Sequence, residues 1–206
     1  MYKARAEYDN FPARTLDGYL GALFRKPVDV SDLPATLEYI SGNSDGDGLE
    51  LTEAMEIAAS NVLQVKYHGL MVEYTGIASA EFEGDELTQA EVSVLGIGAS
   101  IKHYPRESIL DWDYRVIDGR KKLAYVKLRE IVSVVDNDSF TRKKYVNYLI
   151  LSLDENGVYC QQKIYNDASG QRVQSEKIYP EANGSLLDFI PFEIIMDQRQ
   201  QSSSIP

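Results

Sequence analysis

Apolar residues recur every three to four positions in the first third of the chain and alternate from residue 112 onward. That change of period constrains the fold more than any other feature, because a helix and a strand repeat their faces differently. Leu16, Tyr19, Leu20 and Leu23 predict a helix over residues 12–23, with Pro12 suited to its first turn and Lys26-Pro27 ending it. Asp32 is placed to cap a short second helix carrying Leu33, Leu37 and Ile40, stopped at Ser41-Gly42. Ala54, Ile57, Ala58, Val62 and Leu63 predict a third helix from Thr52 to about Tyr67, ended by Gly69 with His68 near its cap. Residues 70–74 read as a buried strand, 75–84 as an acidic loop, 87–95 as a short helix and 101–104 as a strand.

Downstream, residues 112–117 and 123–135 read as strands joined by an Asp118-Gly119 turn. Strands over 145–153 and 158–165 meet at Asn156-Gly157, and Ala168-Ser169-Gly170 leads into 172–179. Residues 184–196 close the segment, and 198–206 form a polar tail. The predicted fold class is α+β: N-terminal helices followed by an antiparallel β-rich region. The expected segments are 1–111, helical and mixed, 112–197, β-rich, and 198–206, all in one composite domain.

Charge is distributed unevenly. Residues 1–100 carry 6 Lys/Arg against 17 Asp/Glu, whereas residues 101–206 carry 15 of each. An acidic half repels a phosphate backbone, which argues against tight nucleic-acid binding there. No apolar run approaches the ~20 residues of a membrane span, and no secretory leader is expected. A lone cysteine, Cys160, excludes an internal disulfide and a cysteine-based zinc cluster. The chain reads as cytosolic or as part of an intracellularly assembled particle.

The sharpest local pattern is Asn43-Ser44-Asp45-Gly46-Asp47-Gly48. It places oxygen-bearing residues at the first, third and fifth positions of an EF-hand loop and glycine at the sixth. The twelfth position, which should supply a bidentate Glu, is Ala54; Glu53 lies one residue early and points about 100° away. Calcium binding at 43–54 is therefore expected to be weak or absent, and an ordinary helix-to-helix turn is the competing reading. His68 and His103 lie far apart, Cys160 has no activating neighbour in sequence, and the Glu81/Glu83 and Asp85/Glu86 pairs lack an apolar wall. Gly96-Ile97-Gly98 lacks the third glycine of a dinucleotide fingerprint. No catalytic, cofactor or metal residues are assigned, and no enzyme activity is expected. The 14 Tyr residues suit half-buried packing in strands, or a protein–protein surface.

Six stretches, in order, resemble one family: residues 14–27 (RTLDGYLGALFRKP), 45–49 (DGDGL), 69–74 (GLMVEY), 104–112 (YPRESILDW), 126–130 (VKLRE) and 187–192 (LDFIPF). Together they are similar to a portal-like family of tailed-phage structural proteins, a family filed as a domain of unknown function. The resemblance implies a virion structural protein, a homo-oligomeric ring subunit at the capsid vertex through which DNA is packaged and ejected. It implies a portal wing-like fold and further helices beyond Pro206, so that this chain stands as a C-terminally truncated form. Its implied partners are other portal subunits, capsid, terminase and head–tail connector proteins, with duplex DNA only as a sliding passenger and no membrane. The implied location is the virion, and the host cytoplasm during assembly. The alternatives are a soluble acidic protein-interaction domain with weak calcium binding at 43–54, and a hydrolase with scattered carboxylates.

Overall fold

The computed structural model describes residues 10–26, 28–75, 98–135, 142–166, 170–182 and 184–196. These divide into two compact units, with the breaks between His103 and Tyr104 and between Glu193 and Ile194.

In the first unit, helix α1 (Phe11–Leu23) starts where the Ala13 N–H donates to the Asn10 side chain at 3.2 Å, with Pro12 in the first turn. Only Leu20 of its apolar stripe is buried; Tyr19 and Leu23 are 64% and 63% exposed. A 3-10 segment, Ala35–Ser41, follows, with Pro34 at its cap and no side-chain cap bond. Asp32 sits at φ 67, in the left-handed region, and does not take the expected capping role. Helix α2 (Leu51–Val65) buries Leu51, Ala54 and Ala58. It ends at Lys66, whose φ of 79 breaks the helical run, so β1 (Tyr67–Thr75) already contains His68 and Gly69. β1 is the centre of a three-stranded sheet, flanked by β2 (Gly98–Tyr104) and, from the far end of the sequence, β10 (Phe192–Met196).

The second unit is a meander. β3 (Ile109–Ile117), β4 (Arg120–Val135), β5 (Arg142–Leu153), β6 (Tyr159–Asn166) and β7 (Arg172–Gln174) pair antiparallel in sequence order. Asp118 and Gly119 both have positive φ, 51 and 72, the mirror-image turn whose twist matches the flanking strands. The Asn156-Gly157 connection is closed differently: the Asp154 carboxylate accepts the N–H groups of Asn156 and Val158, each at 2.9 Å. Alternation buries Ala124, Val126 and Leu128 on β4 against Leu149, Leu151 and Leu153 on β5, with Val126 opposite Leu151 and Leu128 opposite Leu149. β8 (Glu181–Ala182) and β9 (Ser185–Leu186) form a small separate hairpin.

The expected α+β class is corrected by this arrangement. Strand makes up 47% and helix 25% of the described residues, in three antiparallel sheets, so the described molecule is β-dominated rather than helices followed by strands. Two features shift the balance. The two strands expected in the first unit run longer than their sequence patterns, Tyr67–Thr75 and Gly98–Tyr104, and the second predicted helix is wound only as a short 3-10 segment. The expected loop over 75–84, the helix over 87–95 and the tail over 198–206 lie outside the described residues, save Thr75 at the end of β1.

Candidate functional site

The EF-hand-like loop turns its oxygens inward. The Asn43 side chain accepts the Gly48 N–H at 2.8 Å, and Asp45 Oδ1 accepts the N–H groups of Asp47 at 2.8 Å and Leu49 at 3.0 Å. The Leu49 and Asp47 amides favour the charged carboxylate and hold Asp45 below the ordinary aspartate range. Ser44 is fully buried; its N–H and hydroxyl both donate to the Leu49 carbonyl, and its own carbonyl accepts the Ile101 N–H at 2.7 Å. The loop is thereby pinned to β2. At the twelfth position Ala54 is 3% exposed and faces the interior, so the helix brings no carboxylate back to the loop. Among the described residues no group of three or more His, Cys, Asp or Glu side chains is arranged to hold a metal ion.

The two histidines, distant in sequence, meet. His68 on β1 and His103 on β2 approach to 3.0 Å between Nε2 and Nδ1, with ring centroids 5.2 Å apart. His68 is 1% exposed and His103 partly buried. One nitrogen must donate and the other accept, so the pair requires a neutral acceptor imidazole. Burial lowers the His103 pKa, while the Asp45 charge pulls it upward. The sequence signal was available in the alternation of both strands, but His68 reads as a helix cap unless Lys66 is recognised as the stop.

Cys160 is buried, with its sulfur 3.2 Å from the Ser152 hydroxyl across the β5–β6 pair. It packs as a small hydrophobe. A polar hollow of about 350 Å³ is lined by Arg115, Leu153, Asp154, Glu155, Asn156 and Lys177. It is open to solvent and contains no nucleophile paired to a base.

Residues from three stretches named in the sequence, which the sequence alone does not bring together, meet at Tyr104. Its hydroxyl donates to Glu130 at 2.9 Å, and its ring packs against Phe192 with centroids 5.8 Å apart. Tyr104, Ile109, Val126, Leu128, Ile190 and Phe192 are all buried.

The opposite face of the five-stranded sheet is charged. Lys127, Arg129 and Lys144 project from the face that also carries Tyr148 and Ile150, as the register requires. Lys127 and Arg172 both sit over the Tyr148 ring, at 5.4 and 4.8 Å. No helix among the described residues is long and apolar enough to cross a membrane. No family model matches the chain, and no curated protein matches it.

Proposed function

We propose that this chain is a portal-type virion structural protein, a subunit that acts through protein contacts in a ring at the capsid vertex. The observation that supports the reading best is the Tyr104 cluster. Residues 104–112, 126–130 and 187–192 carry the portal resemblance from separate parts of the sequence. Tyr104 bonds Glu130 and packs on Phe192, so one residue from each of these stretches meets at a single point. Residues shared for a fold's sake are expected to be buried and mutually bonded, whereas residues shared by chance have no reason to converge. The remaining stretches fall at defined structural positions: the first is α1 and its end, the second opens α2, and the third lies in β1, where Met71 is fully buried.

A ring subunit uses two different surfaces, because each contact is head-to-tail. The test is the mass in solution of the chain extended beyond Pro206 by the helices that the resemblance implies, with electron microscopy of the assemblies and proteomics of purified particles. A closed ring of many copies, and the chain's presence in particles, is expected. A chain that stays monomeric at high concentration and never enters particles overturns the reading, and the acidic interaction domain takes its place.

A further inference from the structure

Between Lys26 and Lys66 the chain carries eight carboxylates and no Lys or Arg. Asp47, Glu50, Glu53 and Glu56 of that stretch are exposed, at and just before the start of α2, beside the exposed apolar Met55 and Ile57. In the second unit, cations collect on one face of the sheet. Lys127 lies opposite Ile150 and Gln162, and Arg129 lies opposite Tyr148, which in turn lies opposite Ile164. Alternation along the same strands puts Arg142 and Lys144 on this face, and Arg172 joins it opposite Asn166. Of the strand carboxylates on this face, Asp111 lies directly opposite Lys127 and Asp113 opposite Tyr125, so the cations with no carboxylate across a paired strand are Arg129, Arg142, Lys144 and Arg172. The Arg129 Nε is buried and has no hydrogen-bond acceptor among the described residues. That nitrogen is closed to an incoming group, so the contact falls to the exposed Arg142, Lys144 and Arg172.

We infer that this cationic, tyrosine-bearing sheet face receives the acidic α2 segment of a second copy of the chain. The proposal rests on the ring reading and names its two surfaces. The contact is heterologous by construction, since one copy's helix meets the next copy's sheet, and a heterologous contact gives a ring where its rotation closes and a filament where it does not. A polyphosphate chain is the competing occupant of a basic face bearing aromatics. It is disfavoured because the whole chain carries a net charge of −11, which opposes the approach of a polyanion.

Two charge-reversed variants of the full chain test this by sedimentation velocity at ~0.15 M salt. The first is Arg142→Glu/Lys144→Glu/Arg172→Glu on the exposed part of the sheet face; the second is Glu53→Lys/Glu56→Lys on α2. Each variant alone should self-associate at least about tenfold more weakly than the parent chain. Mixing the two in equal amounts should restore assembly, because each then offers the other an oppositely charged surface. Circular dichroism of each variant separates a lost contact from a lost fold, and recovery on mixing excludes misfolding independently. A parent chain that assembles while both variants assemble equally well overturns this interface and leaves the ring reading standing. A parent chain that never assembles removes both. Retention of duplex DNA by the parent chain, lost in the sheet variant and unchanged in the helix variant, assigns the face to nucleic acid instead.

Discussion

Each unit contains an antiparallel sheet, but the two sheets are assembled from the chain in opposite ways. In β3 to β7 every strand pairs with its neighbour in sequence, and the turn at Asp118-Gly119 is two residues long. In the other sheet β1 pairs with β2 on one side and on the other with β10, which arrives from the far end of the sequence. A meander is specified locally: alternation sets the faces and the turn sets the register. A sheet completed by a distant strand gains stability only after a long loop has closed, and no short motif announces it. The difference teaches that the chain's legible half is the half whose contacts are short in sequence.

The largest effects should come from the two cores. Leu128 and Met71 are both fully buried, one in each sheet. Leu128→Ala and Met71→Ala are each expected to cost about 2–5 kcal/mol, the usual range for leaving a cavity in a packed core. Hydrogen exchange should place the losses differently. Leu128→Ala should speed exchange across β3, β4 and β5, while Met71→Ala should speed it across β1, β2 and β10. If Leu128→Ala strips protection from β1 to the same extent as from β5, the contrast between the sheets is lost.

Glycines sharpen the comparison at a smaller scale. Gly119→Ala forces a side chain onto a φ of 72 with no neighbour to meet, so its cost is local backbone strain of about 1–2 kcal/mol. Gly98→Ala meets a tertiary neighbour instead: a Cβ there would lie 2.6 Å from the Tyr39 hydroxyl, which itself donates to the Ala99 carbonyl at 2.9 Å. Chemical denaturation should show the Gly98→Ala penalty shrinking in a Tyr39→Phe background and the Gly119→Ala penalty unchanged by it. Equal behaviour of the two glycines would mean that the first unit is as locally determined as the meander.

Legibility in the sequence follows the same line. The strand runs around Trp112, Leu128 and Leu151 and the turn at Asp118-Gly119 were readable, because period 2 and turn chemistry are properties of adjacent residues. The end of α2 was misplaced because Lys66 is not a usual left-handed stop, whereas Gly69 is. The fold class was missed for a related reason: β10 looks like a closing strand of the meander, and nothing in Phe192 or Ile194 says that it pairs with β1. At the loop preceding α2, the acidic residues and glycines were legible, but the inward turn of Asp45 onto the Asp47 and Leu49 amides is a matter of backbone geometry.

The smallest effect is expected at the His68–His103 contact, and it should distinguish the two sheets by pH. His103 has its pKa lowered by burial, with Asp45 opposing. A histidine whose folded pKa lies below its unfolded value binds more protons when unfolded, so stability rises with pH through that interval. Its contribution is complete above the unfolded value of about 6.5 and falls as pH drops below it. Geometry adds to the burial effect: with Nε2 of His68 and Nδ1 of His103 only 3.0 Å apart, protonating both rings sets two N–H groups face to face. Between pH 7.5 and 5.5 the amides of β1 and β2 should therefore lose exchange protection, corrected for intrinsic rates, while those of β4 and β5 hold theirs. His103→Gln keeps a polar side chain next to His68 and should flatten the response of β1 and β2 without changing that of the meander. A pH response of equal size in both sheets, or one that survives in His103→Gln, would place the sensitivity in the carboxylates of the chain at large rather than at this pair.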